Sequence, residues 1–252
     1  MLSALIKSMR PRQWSKNVFV LAAVVFDKKL LNPEAVGKSL AGMVLFCLLS
    51  SSVYLINDLA DLEADRQHPE KRNRPIASGQ LPVSTAWLAV IVILLIVFPL
   101  AYLLAAKFAL LLLSYFLANL AYSKWLKHIP LIDVFVLASF YVLRVIAGVT
   151  LIHVERFSPW LYVVTSLLAL YIGFGKRRAE LTLLADEANA HRRVLEGYTI
   201  PLLDQFITIV SATTIVAYSL YTFSAPNLPE NHAMMLTIPF ALYGIFRYLY
   251  LI

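Results

Sequence analysis

Three aspartates between two long apolar runs have the spacing of a metal site. Asp58, Asp61 and Asp65 stand at positions i, i+3 and i+7, so on one helix they would share a face. Asn57 adds an amide oxygen beside them. Carboxylate and amide oxygens are ligands that suit Mg²⁺, which usually keeps water and phosphate oxygens as further ligands. The spacing predicts that these four residues bind Mg²⁺ or Mn²⁺ and that the three aspartates are catalytic; a solvated, charged helix end is the alternative.

Basic side chains follow the aspartates directly. The same connection carries Arg66, Lys71 and Arg74. Acids beside bases are what a metal-chelated diphosphate would need, because the bases can bind phosphate oxygens that the metal leaves free. A second basic cluster stands in "GKRRAEL" and consists of Lys176, Arg177 and Arg178. Consecutive bases at the end of a membrane helix often only set topology, so this cluster has both a topological and a phosphate-binding interpretation.

Three further polar residues accompany the fifth apolar run. Lys127 lies in the short connection before it, and Asp133 lies about one turn into it. Arg144 follows about three turns later on nearly the same face. A buried arginine in a membrane span is a functional candidate that faces a polar cavity or an acid partner. A structural Asp133–Arg144 pair is the alternative interpretation.

The elements that must position these residues are membrane helices. The chain has 252 residues, of which 60% are hydrophobic and 15% are charged, and a soluble domain could not bury so much apolar surface. The pattern predicts an all-α, multi-pass transmembrane bundle that forms one domain over residues 1–252. A helix over 3–14 should lie along the membrane interface, and the predicted spans are 17–30, 38–56, 85–105, 108–123, 130–152, 159–175, 202–223 and 233–252.

Positive charge predicts the orientation of these spans. Most of the 22 lysines and arginines fall in the N-terminal segment and in every second connection after it; Arg192 is one of them. Arg156 and a few others lie on the opposite side. The positive-inside rule therefore places the N-terminus and the long connections 57–84 and 176–201 in the cytoplasm, with the spans in the inner membrane. Membrane orientation and the binding of anionic substrates explain the net charge of +7 better than the binding of nucleic acid does.

The aspartate pattern, followed by "NRPIASG", resembles the UbiA superfamily of intramembrane prenyltransferases. The resemblance covers most of the chain. It implies an all-helical fold of nine spans around a central cavity that is open laterally to lipid, with an aspartate motif in each of two long cytoplasmic loops. Eight spans are predicted here, so the sequence ends in its eighth apolar run and the ninth span expected from the family is missing from it.

One branch of that superfamily resembles this sequence more than the other branches do. "GKRRAEL" replaces the second aspartate motif, and with "RPRQWSKN" and "YSKWLKHIPLIDVF" it resembles the polyprenyl-phosphate phosphoribosyltransferases. The resemblance implies transfer of 5-phosphoribose from phosphoribosyl diphosphate to a polyprenyl phosphate, for cell-envelope polysaccharide precursors. One acidic motif would hold Mg²⁺ for the diphosphate, and basic residues would bind the other phosphates. The expected substrate-binding residues are Asn57, Arg66, Lys71, Arg74, Lys127, Arg144, Lys176, Arg177 and Arg178.

Three alternatives differ in chemistry. An aromatic prenyltransferase of the same superfamily would use the aspartates for a prenyl diphosphate. A transporter would use Asp133 and Arg144 on its pathway, although no inverted repeat is visible in the sequence. The CDP-alcohol phosphotransferases also hold metal with membrane aspartates, but their pattern needs glycine where Leu62 follows Asp61. The sequence leaves the oligomeric state open, a homo-oligomer included.

Overall fold

The structure is a computed structural model that describes residues 1–154, 158–186, 193–225, 228 and 231–252. Within these ranges the chain forms helices and no strand, which confirms the predicted all-α fold. The α-helices are α1 (Leu2–Ser8), α2 (Ala22–Phe26), α3 (Pro33–Ala60), α4 (Leu62–Gln67), α5 (Val83–Leu104), α6 (Ala106–Lys124), α7 (Ile132–Leu151), α8 (Pro159–Asp186), α9 (Ile200–Ser224) and α10 (Ile238–Leu251). Short 3-10 helices cover Pro11–Leu21, Lys71–Asn73, Leu126–His128, Arg193–Gly197 and Ala233–Thr237. Arg156, Arg192 and part of the connection 176–201 lie outside the described residues.

Six helices in the described part of the chain are long and apolar enough to cross a bilayer. They are α3, α5, α6, α7, α9 and the segment Ala233–Leu251 that ends in α10. On α5 the side chains of Leu88, Leu95 and Leu103 are exposed. Such a surface is unfavourable in water but suits the hydrocarbon of a bilayer. The chain is therefore a membrane protein, and six of the predicted spans are found as helices.

The two other predicted spans differ from the expectation. The run 17–30 is not one helix, because the 3-10 helix Pro11–Leu21 is followed by α2, which ends at Phe26. The interfacial helix is also shorter than predicted and ends at Ser8. α8 continues past its apolar part through the basic residues of "GKRRAEL" to Asp186, and it is not among the six apolar spans. The count of eight spans is thus not confirmed.

The contacts divide the chain into two units, and the predicted single domain stays a prediction. The first unit comprises Met1–Ser123 and Leu143–Val154. In it α3 packs against α5 and against the 3-10 helix Pro11–Leu21. Gly148 of α7 lies so close to this 3-10 helix that a Cβ atom there would be 2.1 Å from the carbonyl oxygen of Val20. Glycine at position 148 is therefore required by the packing of this unit.

The second unit comprises Lys124–Val142 and Glu155–Ile252. Its core forms where α8 packs along α9. The rings of Phe174 and Phe206 lie 5.2 Å apart between these helices, and the Tyr171 hydroxyl donates to the carbonyl oxygen of Ile245 at 2.8 Å. α8, α9 and α10 also line an apolar cavity of about 530 Å³. The described part of this unit thus positions the basic end of α8 on a packed helical pair.

Candidate active site

The three aspartates lie at a break between two helices rather than on one. α3 ends at Ala60, Asp61 takes φ −93° and ψ 11°, and α4 begins at Leu62. The prediction of a single helical face is therefore wrong at Asp61. The turn nevertheless keeps nearly helical hydrogen bonds, from the Asp61 amide to the Asn57 carbonyl at 3.0 Å and from the Asp65 amide to the Asp61 carbonyl at 2.8 Å. Asp65 consequently stays close to Asp58.

Asp58 and Asp65 are buried and share one cation. Nη1 of Arg74 lies 2.7 Å from Oδ2 of Asp65 and 3.1 Å from Oδ1 of Asp58. Because one nitrogen reaches both, the two carboxylate oxygens converge on a single point. The structure thereby brings together three of the residues singled out in the sequence, from α3, from α4 and from the loop after them.

The turn in "NRPIASG" explains how Arg74 returns to the aspartates. Arg74 has ψ 143°, the extended conformation that a following proline favours. The amide of Ser78 donates to the Arg74 carbonyl at 2.9 Å, and Gly79 closes the turn with φ 78°, which glycine adopts without strain. Ile76 is buried beneath the turn. The backbone is thus fixed on both sides of Arg74, since its own amide also donates to the Lys71 carbonyl at 2.9 Å.

Arg10, the first residue of "RPRQWSKN", is a functional candidate that was not among the predicted site residues. Its Nη2 lies 2.5 Å from Oδ1 of Asp58, and its guanidinium lies 5.0 Å from the centre of the Tyr54 ring. In the sequence Arg10 was only one of several bases in the N-terminal segment, and periodicity gives no signal for a partner 48 residues away. Asp58 therefore has two arginine partners, Arg10 and Arg74.

These residues fit a divalent cation held by two carboxylates. The oxygens of Asp58 and Asp65 that converge on Arg74 are hard ligands, and Mg²⁺ is commonly bound by one or two carboxylates together with water and substrate phosphates. Asp61 is half-buried at the helix break. The Asn57 amide oxygen accepts a hydrogen bond from the Ser123 hydroxyl at 2.6 Å. Within the described ranges no three Asp, Glu, His or Cys side chains converge, so the pair Asp58–Asp65 is the best-supported part of the predicted metal site.

Two predicted phosphate-binding bases lie on the surface near this cluster. Arg66 pairs with Glu63 at 2.9 Å, and both side chains are largely exposed. Lys71 is exposed in the short 3-10 helix Lys71–Asn73. An exposed ion pair contributes little to stability, so Arg66 can leave Glu63 for a phosphate at small cost.

Arg144 is buried in the first unit and joins three of its segments. Its Nε donates to Oδ1 of Asn17 at 2.9 Å, and its Nη2 donates to the Tyr115 hydroxyl at 3.0 Å. The guanidinium also lies 5.3 Å from the centre of the Phe46 ring. Asn17 in turn donates to the Ser50 hydroxyl of α3 at 3.2 Å. The structure thus gives Arg144 polar and aromatic neighbours from the 3-10 helix Pro11–Leu21 and from α3 and α6.

Asp133 and Arg177 form a buried ion pair in the second unit. Nε of Arg177 lies 2.7 Å from Oδ2 of Asp133, and the two side chains are 2% and 0% exposed. Nη1 of Arg177 contacts Glu180 at 2.5 Å, and the Tyr198 hydroxyl donates to Asp133 at 2.7 Å. Burial and the hydrogen bond to Asp133 raise the pKa of Tyr198, so this phenol stays protonated as a donor. The partner that the structure gives Asp133 is therefore Arg177, one of the predicted phosphate ligands.

The neighbouring bases of this cluster differ in exposure. The Lys176 side chain is 67% exposed, and its Nζ is 3.8 Å from Glu180. Arg178 is less exposed, pairs with Asp204 at 2.6 Å and donates to the carbonyl oxygen of Ile252. Lys127 is half-buried in the 3-10 helix Leu126–His128. Lys176 is thus the member of "GKRRAEL" whose charge is most available to a phosphate, whereas Arg177 has a structural contact.

Comparison with known sequences gives one family and several similar enzymes. The sequence model of the UbiA prenyltransferase family matches residues 18–252. A decaprenyl-phosphate phosphoribosyltransferase from Mycobacterium tuberculosis (strain CDC 1551 / Oshkosh) is 36% identical over 98% of this chain and 83% of that protein. The enzyme of the same name from Mycolicibacterium smegmatis is 37% identical over 89% of this chain and 71% of that protein.

A solved structure has the same fold. The structure of a UbiA homolog from Archaeoglobus fulgidus bound to GPP and Mg²⁺ superimposes with a TM-score of 0.77, covering 99% of this chain and 87% of that one. The sequences are 20% identical, so this likeness concerns the fold alone.

Proposed function

The chain belongs to the UbiA prenyltransferase family, and we propose that it transfers 5-phosphoribose from phosphoribosyl diphosphate to a polyprenyl phosphate, with release of pyrophosphate. The observation that carries the proposal is the similarity to the decaprenyl-phosphate phosphoribosyltransferases, which extends over 98% of the chain at 36% identity. The basic sequence "GKRRAEL" supports it further. An enzyme with two phosphorylated substrates needs basic residues for the phosphates that the metal does not bind.

The carboxylates Asp58 and Asp65 have the role of holding a divalent cation near the diphosphate of the donor. Mg²⁺ or Mn²⁺, when bound, supplies positive charge to the pyrophosphate as it leaves. Arg74 lies between these carboxylates in the structure, and its role would be to bind an oxygen of the same diphosphate. Asn57, which precedes the pair in sequence, and Asp61, which lies between its members, are further candidate ligands.

The reaction itself exchanges two bonds at C1 of the ribose. The bond from C1 to the diphosphate oxygen breaks, and a bond from C1 to an oxygen of the lipid phosphate forms. A phosphate monoester is already ionised at neutral pH, so the protein needs no general base to deprotonate it. The chain's task is to hold the two anions in line, which brings the reacting atoms together and predicts inversion at C1. Lys176 and Arg178 are the candidates for the phosphates of the sugar and the lipid.

Location follows from the same proposal. The N-terminus and the site would face the cytoplasm, where phosphoribosyl diphosphate is available, and the helices would lie in the inner membrane. The polyprenyl chain would extend into the hydrocarbon, and the phosphoribosylated lipid would serve the synthesis of cell-envelope polysaccharides.

The proposal is tested with purified protein in detergent, Mg²⁺, phosphoribosyl diphosphate labelled in the ribose and a polyprenyl phosphate. The label should pass into the organic phase, and it should not do so with Asp65→Asn or with excess chelator. A parallel reaction contains a prenyl diphosphate and an aromatic acid. Prenylation in the second reaction and no transfer in the first would overturn the proposal and make the protein an aromatic prenyltransferase.

A further inference from the structure

Arg10 contacts the aspartate pair from a backbone conformation that is unfavourable for arginine. Its φ is 54° and its ψ is 61°, in the left-handed region, although it carries a Cβ atom and precedes Pro11. A residue before proline favours extended backbone, and a non-glycine residue in the left-handed region is rare. Such strain persists only where surrounding contacts over-determine it, and it is concentrated at ligand clamps and switch segments.

Contacts on both sides of Arg10 hold the strained residue against α3. The hydroxyl of Ser51, which is buried on α3, lies 3.1 Å from the carbonyl oxygen of Met9 and 2.8 Å from that of Cys47, so the two carbonyls share its one proton. The same hydroxyl accepts a hydrogen bond from Nε1 of Trp14 at 3.0 Å. Met9 and Trp14, on either side of Arg10, are thus fixed to one point of α3, about two turns before Asp58. The segment from Met9 to Trp14 therefore holds the Arg10 guanidinium beside Asp58.

Arg10 and Arg74 are not equivalent partners of Asp58. Both approach the same oxygen, Oδ1, but Arg74 also bonds to Asp65 and stands on a turn fixed by backbone hydrogen bonds. Among the described residues, the Arg10 side chain has one ion-pair partner, Asp58, besides its contact with the Tyr54 ring, and its backbone is strained. A cation that binds Oδ1 of Asp58 competes with both arginines for the lone pairs of that oxygen. Of the two, Arg10 has fewer bonds to lose.

We propose that Arg10 is a donor-binding residue that exchanges Asp58 for a phosphate oxygen of the diphosphate donor. The inference rests on the proposed function in so far as it concerns the same donor site. When Asp58 binds the metal, the Arg10 guanidinium would be left close to the diphosphate oxygens that bind the same metal. Arginine binds phosphate through paired N–H groups. Arg10 therefore opposes binding of metal alone and favours binding of metal with diphosphate.

Two binding measurements without any sugar or lipid test this exchange. Mn²⁺ is titrated into purified protein in detergent and followed by the electron paramagnetic resonance signal of free Mn²⁺, first alone and then with inorganic pyrophosphate. Arg10→Gln removes the partly exposed guanidinium that competes with the metal for Asp58 and that would bind pyrophosphate. The variant should therefore bind Mn²⁺ alone about tenfold more tightly than the unaltered protein, and Mn²⁺-pyrophosphate about tenfold more weakly. Arg12→Gln removes the same charge two residues away on an exposed side chain and should change neither affinity.

A second variant separates the effect of losing the guanidinium from the effect of losing the fold. Arg10→Asn removes the guanidinium but carries a residue that tolerates left-handed backbone, so it should reproduce both changes with an unaltered melting temperature. Any other pattern in the Arg10 variants overturns the proposal, including weaker binding of Mn²⁺ alone or equal changes in Arg12→Gln. If these affinities change as expected while the unaltered protein transfers no phosphoribose, the exchange stands and the proposed function fails.

Discussion

Replacement of Arg177 distinguishes a structural role from a phosphate-binding role in the second basic cluster. Arg177→Gln would leave the carboxylate of Asp133, which is 0% exposed, with the Tyr198 hydroxyl but without its cation. Glu180 would lose its nearer basic partner, at 2.5 Å, and keep Lys176 at 3.8 Å. Breaking a buried ion pair by removing one member costs about 3–5 kcal/mol, because an uncompensated charge stays buried. For a chain of this size we expect the melting temperature to fall by about 6–20 °C.

The assay is thermal unfolding of purified protein in detergent, followed by intrinsic fluorescence. Lys176→Gln is the matched control, since it removes the same charge one residue earlier from a side chain that is 67% exposed and 3.8 Å from Glu180. An exposed pair contributes at most about 1 kcal/mol, so the control should shift the melting temperature by no more than about 4 °C.

A double variant tests the pairing itself. Asp133→Asn together with Arg177→Gln removes both charges, and its loss of stability should be smaller than the sum of the two single losses by about 1–3 kcal/mol. If Arg177→Gln unfolds at the temperature of the unaltered protein and instead raises the KM for one phosphorylated substrate, the structural interpretation is refuted and Arg177 is a phosphate ligand.

Three other outcomes follow from the structure. Asp58→Asn and Asp65→Asn should each abolish most turnover, and activity should disappear in excess chelator and return with Mg²⁺; full activity of either variant, measured in the transfer assay, would contradict the metal site. Gly148→Ala should lower the free energy of unfolding by about 1–3 kcal/mol, because its Cβ would be 2.1 Å from the Val20 carbonyl oxygen. Gly37→Ala should raise the free energy of unfolding by about 0.5 kcal/mol, because among the described residues no atom beyond its own helical turn would lie within 4 Å of the added Cβ. Lys176→Gln should raise the KM for one phosphorylated substrate several-fold at unchanged expression, and unchanged kinetics for both substrates would leave that lysine a topology signal only.

The sequence predicts the spans well where apolar runs are long. α5 and α9 lie close to the predicted ranges, because about 20 apolar residues in succession favour a membrane helix whatever the rest of the chain does. α3 begins five residues before the predicted start, at Pro33. The Asn32 side chain accepts hydrogen bonds from the amides of Glu34 and Ala35, and asparagine before proline is a helix-start signal that hydropathy alone overlooks.

The side-chain partners are what the sequence could not supply. Asp58, Asp65 and Arg74 were identified because they lie within one connection, and local spacing carries their relation. Arg10 with Asp58 and Arg177 with Asp133 are 48 and 44 residues apart, and no period in the chain encodes such a pair. The left-handed backbone of Arg10 is equally hidden, because arginine before proline predicts extended backbone.

The most direct test of phosphoribosyl transfer follows two phosphorus labels from one donor. Phosphoribosyl diphosphate is prepared with one label in the 5-phosphate and a different label in the terminal phosphate of the diphosphate, and it is incubated with the protein, Mg²⁺ and a polyprenyl phosphate. If phosphoribose is transferred, the 5-phosphate label enters the lipid phase and the diphosphate label stays in water as pyrophosphate, in equal amounts. Diphosphate label in the lipid, or no label there while a prenyl diphosphate and an aromatic acid react, would contradict transfer of phosphoribose to the polyprenyl phosphate.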